Sequence, residues 1–166
     1  MKLTDLLQRL YDTGWAATLR ENGIAFPWVE CLHVLAITLV VGSISVVDLR
    51  LLGLAWVTRP VSRVSGGILP LTWCAFVAAV LSGALLWISN ATRYLANGYF
   101  LAKMILIALA GVNMLAFHFI GARDQRRWDH DTRLPLAARF AGGLSLLLWI
   151  AVITCGRWIG FTMGIH

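Results

Sequence analysis

The sequence predicts an all-α membrane protein: an up-and-down bundle of four transmembrane helices in a single membrane domain (1–166), preceded by an amphipathic interfacial helix. Three observations carry this. Hydrophobic residues make up 59% of the 166 residues and charged residues only 13%, a balance suited to lipid rather than water. Four apolar stretches each approach the about 20 residues that cross a hydrocarbon core of about 30 Å. The connections between them are short, which implies antiparallel neighbours.

Residues 3–22 place Leu3, Leu6, Leu7 and Leu10 on one side and Asp5, Arg9, Asp12 and Arg20 elsewhere, the pattern of a helix lying in the membrane surface. These charges interrupt any uncharged signal-peptide core, so the mature chain is expected to begin near Met1. Asn22-Gly23 ends this segment and Pro27 suits the first turn of span one, about 27–57. That span holds an uncharged run of 17 residues, Cys31 to Val47, framed by Glu30 and Asp48 and containing His33. Span two, about 67–90, lies in the charge-free stretch Val64 to Thr92, with Pro70 as a kink near its start. Spans three and four are expected at about 99–121 and 136–161, separated by the polar segment ARDQRRWDHDTRLP.

Net charge is +6, but the arginines are scattered between apolar runs and form no stripe, which argues against nucleic acid. The charge reads instead as topology and lipid-headgroup contact. Eight arginines (Arg50, Arg59, Arg63, Arg123, Arg126, Arg127, Arg133 and Arg139) fall in or beside the turns after spans one and three. The positive-inside rule therefore predicts both termini outside the cytoplasm. Trp28, Trp87 and Trp158 would form an outer interfacial belt, and Trp56, Trp73 and Trp128 an inner one. Cys31, Cys74 and Cys155 stand singly and read as buried small apolar residues.

Ionisable groups inside spans are costly in lipid and are the default place to look for function. Glu30 and Asp48 are 18 residues apart, five full turns, so they share a helix face about 27 Å apart. Arg139 and Arg157 have the same spacing on span four, which runs the other way. Glu30–Arg157 and Asp48–Arg139 ion pairs are therefore expected to tie spans one and four at the two ends. His33 lies one turn below Glu30, and Lys103 lies at nearly the same depth on span three. One reading makes them a hydrogen-bonded core histidine and a snorkelling lysine. Another makes them ligands or neighbours of a cofactor in the outer half, imidazole being the usual protein ligand of haem iron. Arg157 would then face a haem propionate, and Lys103, Met104 or water would supply the second axial group. Spans two and four contain no histidine, and His118 sits at the inner end, too far from His33 to share one iron. Lys103, Ile107, Met114 and His118 fall in one 60° sector, predicting one inward face along span three. His118 is expected with Asp48 and Arg139 in an inner polar layer. Gly42, Gly53, Gly83, Gly111, Gly142 and Gly143 would allow close helix approach, a homodimer contact, or room for a flat ligand.

The ordered set Glu30-x-x-His33, Asp48-Leu-Arg-Leu-Leu-Gly53, Lys103, Asn113, Phe117-His118, Trp128-Asp129, Ser145-Leu-Leu-Leu-Trp149 and Gly156-Arg157 resembles a bacterial family of four-span inner-membrane proteins of unknown function. The resemblance covers nearly the whole chain. More distantly, the histidine of span one and the lysine of span three are similar to the pattern of HemJ-type protoporphyrinogen oxidases, which bind haem b, and of copper-resistance D-like membrane proteins. That resemblance implies His33 as the iron ligand and Lys103 as a cofactor or substrate group. Leu101 and Ala102 stand where the oxidases tend to carry another histidine, which bears more on porphyrinogen oxidation than on haem binding.

Three functions follow as expectations. The first is a b-haem membrane redox protein acting on a quinol-like or porphyrin-like substrate. The second is a metal-ion or small-solute transport subunit with His33, Lys103 and Asp48 along its path. The third is a structural subunit held together by its ion pairs. The chain lacks the methionine cluster or Cys/His spacing that copper favours.

Overall fold

The computed structural model describes residues 22–117, 119, 129 and 134–163, together with Gly14. The interfacial helix expected over 3–22, His118 and Trp128 lie outside the described residues. Four long helices, each apolar and long enough to cross a membrane, make this a multi-pass membrane protein. They are α1 (Ala25–Leu52), α2 (Val61–Ser89), α4 (Gly98–Ala116) and α5 (Leu136–Met163), with a short α3 (Ala91–Ala96) between α2 and α4. No strand occurs among the described residues.

Helix ends follow local chemistry. The Asn22 side chain accepts from the backbone N–H groups of Ile24 and Ala25 at 3.0 and 3.2 Å and starts α1. Gly53, at φ +75°, ends α1 in the left-handed conformation, and the Leu54 N–H returns to the Leu49 carbonyl at 3.0 Å. Glycine takes that conformation without steric cost. α1 therefore stops five residues before the expected 57, because Leu54 and Trp56 are apolar in sequence yet belong to the turn. α2 begins at Val61, earlier than 67, directly after Pro60. Asn97 caps α4 by accepting from Tyr99 N and Phe100 N, and its amide donates to Thr162 Oγ1 at 2.8 Å, tying α4 to the end of α5.

The packing order is α2–α1–α5–α4, and α2 and α4 make no extended contact with each other. α1 and α5 are thus the middle pair, with Ala36, Val40 and Val152 buried on them. A cluster of Leu51, Val61, Leu134 and Ala138 closes the end of the bundle at the 53–60 turn, the inner end of the expected topology, flanked by Val47 and Phe117. Hydroxyls and amides add specific ties: Thr72 Oγ1 donates to Ser43 Oγ at 2.8 Å between α2 and α1, and Asn113 donates to the Ala141 carbonyl at 3.0 Å between α4 and α5.

Glycines set the helix separations. A Cβ at Gly142 would stand 2.9 Å from Leu51 Cβ and 3.0 Å from the Asp48 carbonyl, so α1 and α5 touch there backbone to backbone. Gly42 and Gly111 face open space.

Two buried charged groups organise the inner face. Arg50, fully buried, donates from Nε to the Arg59 carbonyl at 2.8 Å and folds the 53–60 turn over the end of α1. Asp129, 9% exposed, accepts from Ser62 N at 2.8 Å and from Ser62 Oγ at 2.5 Å, capping α2 from a distant part of the chain. Asp129→Ala is expected to cost about 1–2 kcal/mol, read as a lower unfolding midpoint in detergent. An unchanged midpoint would remove Asp129 from the fold's supports.

Candidate functional site in the outer half of the bundle

His33 lies in the interior between α1 and α2. Its Nδ1 stands 3.0 Å from Ser82 Oγ. The Ser82 hydroxyl has one hydrogen, and it goes to the Ala78 carbonyl at 2.6 Å. With that hydrogen on Ala78, the serine oxygen accepts from His33 Nδ1–H, and the ring also hydrogen-bonds with the Ala79 backbone carbonyl. Gly83 receives the ring: a Cβ there would be 2.8 Å from His33 Cε1. A metal-ligating imidazole is usually held by a hydrogen bond through one ring nitrogen.

Lys103, half-buried on α4, reaches toward α5, where Gly156 leaves space: a Cβ at 156 would be 3.7 Å from Lys103 Nζ. Among the described residues no carboxylate pairs with it. His33 thus faces α2 and Lys103 faces α5, and Gly83 and Gly156 accommodate these two side chains.

A half-open cavity of about 230 Å³ lies at the outer end, one turn above this pair. Phe26, Ile159 and Met163 give it an apolar wall, and Glu30, Asn90, Arg93 and Tyr94 a polar one. Arg93 donates to the Met163 carbonyl at 3.2 Å, holding α3 against the end of α5. Tyr94 lies on α3, outside the spans. Burial first, and the Glu30 carboxylate second, raise its phenol above the ordinary value, so it remains a hydrogen-bond donor at physiological pH.

The expected ion pairs do not form among the described residues. Asp48, 5% exposed, is hydrogen-bonded with Ser145 of α5, and its Oδ2 has no partner. Gly142 and Ser145 are level with Asp48, whereas Arg139 lies a turn farther toward the inner end and is exposed. The equal spacing of the two charge pairs fixed their faces on their own helices but not the axial offset between α1 and α5. At the outer end Glu30 is exposed and faces Ile159, Gly160 and Met163 across the cavity. Arg157 is exposed too, with its guanidinium 4.5 Å from the centre of the Phe161 ring. That ring stands beside Trp158, which stacks on Tyr99 at 5.9 Å.

Met104, 42% exposed, is turned away from the pair and does not join His33. Met114 is likewise exposed, so the inward face of α4 drifts from Lys103 and Ile107 to Ala110 and Asn113. Cys31 and Cys74 are exposed on the outer surface of the bundle rather than buried, and only Cys155 is half-buried. No cluster of three or more His, Cys, Asp or Glu suited to a metal ion occurs among the described residues, so any metal held here would need an organic frame to complete its coordination.

Sequence reasoning missed Ser82 and Tyr94, and named Ser145 only within the family pattern. Ser82-Gly83 offered a signal, a polar and a small residue together within a charge-free span. Tyr94 offered none beyond its polarity.

No curated protein and no solved structure matches the chain. A model of a family of unknown function (DUF6644) matches residues 17–162, and the chain belongs to that family.

Proposed function

We propose that this chain is a b-haem-binding redox protein of the bacterial inner membrane, with its working centre in the outer half of the bundle and both termini on the periplasmic side. The observation that carries the reading is the placement of His33: its Nδ1 lies 3.0 Å from Ser82 Oγ, which holds the imidazole in the interior between α1 and α2. The donor chemistry fits the group. His33 Nε2 would hold the iron, and the Lys103 ammonium, without a carboxylate partner among the described residues, would hold a propionate. A b-type haem supplies one-electron transfer when bound. The chain's own residues fix the imidazole, provide a cation in lipid and keep bulk water away from both. The similarity of the histidine and lysine to HemJ-type oxidases supports the same assignment.

Haemin titration of the purified protein tests it. Wild-type protein is expected to take up one equivalent saturably, and His33→Ala to lose at least about tenfold in affinity. Equal uptake by the two proteins would sink the assignment.

A second reading, a small-solute or ion pathway, is favoured by Asp48, a buried carboxylate with one unpartnered oxygen in the inner half. It requires solute flux in vesicles by a colourless protein, abolished by Asp48→Asn.

A further inference from the structure

We propose that the outer cavity binds the hydroxyaryl headgroup of a lipid-soluble quinol, with Glu30 as the proton acceptor and Tyr94, on the same polar wall, as a donor. This rests on the redox reading for its electron acceptor and on the cavity alone for binding.

Position comes first. The cavity lies at the outer ends of α1 and α5, beside the aromatic group of Tyr99, Trp158 and Phe161. Such aromatic side chains mark the boundary between hydrocarbon and headgroups. An amphiphile with an apolar tail and a polar ring presents its ring at that depth. The cavity is half open, with a volume of about 230 Å³, below the range of about 300–1,000 Å³ that encloses a whole drug-sized ligand. It suits one ring whose tail remains outside.

Chemistry comes second. A quinol ring has flat apolar faces and an O–H at each end. Phe26 and Ile159 offer apolar contact to the faces. Glu30 is an acceptor for one O–H, and the Tyr94 phenol and Asn90 amide are donors to the other oxygen. A carboxylate and a neutral phenol on one wall of a cavity suit a ligand that is itself both donor and acceptor. A simple anion would meet Glu30 with repulsion, and a simple cation would meet Arg93.

Oxidation of the bound quinol to the quinone breaks two O–H bonds and releases two protons and two electrons. Glu30 takes the protons in turn and returns each to outer-face water, to which it is exposed. A b-type haem held at His33 would accept the electrons one at a time, passing each to an external one-electron acceptor before taking the next. The cavity floor is one turn from that residue: Glu30 precedes His33 by three positions and Gly160 follows Gly156 by four, rises of about 4.5 and 6 Å.

Photolabelling with a short-chain azidoquinone, read by peptide mass spectrometry, tests the site without requiring turnover. Wild-type protein is expected to carry the label on the outer ends of α3 or α5, competed by unlabelled quinone and not by an equal excess of anionic phospholipid. Gly160→Leu fills the cavity from a position where an added Cβ meets nothing within 4 Å, and it is expected to reduce labelling about tenfold. Tyr94→Phe, nearly isosteric, removes a donor to the quinone oxygen and is expected to weaken labelling as well, which guards against misfolding of the first variant. His33→Ala is expected to keep the label while losing haem. Undiminished labelling in both cavity variants, or equal competition by phospholipid, overturns the proposal. A colourless wild-type protein that labels as expected supports the headgroup site and overturns only its assigned electron acceptor.

Discussion

Gly142→Leu is expected to destabilise the protein by about 3 kcal/mol or more, the upper range of overpacking effects. A Cβ alone at this position would stand 2.9 Å from Leu51 Cβ and 3.0 Å from the Asp48 carbonyl. Neither atom is the end of a flexible side chain, so relief requires α1 and α5 to separate along their whole contact. Separation would also pull Ser145 from Asp48, leaving a carboxylate in the interior with no partner among the described residues. The helix-propensity gain on replacing glycine is about 1 kcal/mol and does not offset this. Gly42→Leu is the control, because Gly42 on the same α1 faces open space; its effect is expected to lie between neutral and a stabilisation of about 1 kcal/mol. Unfolding of both variants in detergent, followed by the change in tryptophan emission, checks the contrast. Equal midpoints would mean that α1 and α5 do not meet at Gly142.

Gly83→Ala is expected to remove haem binding nearly as completely as His33→Ala while leaving the fold intact. The added methyl would lie 2.8 Å from His33 Cε1 and 3.4 Å from Nδ1. The imidazole must swing away, and in doing so it loses the Ser82 hydrogen bond that holds it. His33 is half-buried rather than locked in a close-packed core, so the ring can move without unfolding the helix pair. The variant therefore separates the chemistry of the histidine from its placement. Haem content per protein, measured after extraction, is expected to fall about tenfold with the unfolding midpoint little changed. Unaltered haem content would show that iron does not depend on the ring's position at Gly83.

The helical architecture was legible in the apolar runs, because length and freedom from charge suffice to mark a span and short connections suffice to make neighbours antiparallel. The interior placement of His33 was legible as well, since an ionisable group in a span is costly toward lipid. The partners were not. Asp48 met Ser145 rather than Arg139, and Glu30 met the cavity rather than Arg157, because a sequence period fixes which face of a helix a residue occupies but not how far the facing helix has slid. The end of α1 was hidden for another reason. Leu54, Trp56 and Val57 are as apolar as the span, and only the left-handed Gly53 separates them from it. Gly83 and Gly156 were readable as small residues, but their use as recesses for two polar side chains required the three-dimensional structure.

The most direct test of the outer-half site is the reduced-minus-oxidised visible spectrum of the protein purified from its expressing cells, recorded beside His33→Ala and Gly83→Ala. The expected result is a b-type haem spectrum in the wild-type protein that is lost in both variants. A colourless, iron-free wild-type protein that stays colourless when haem is supplied during expression would contradict the account.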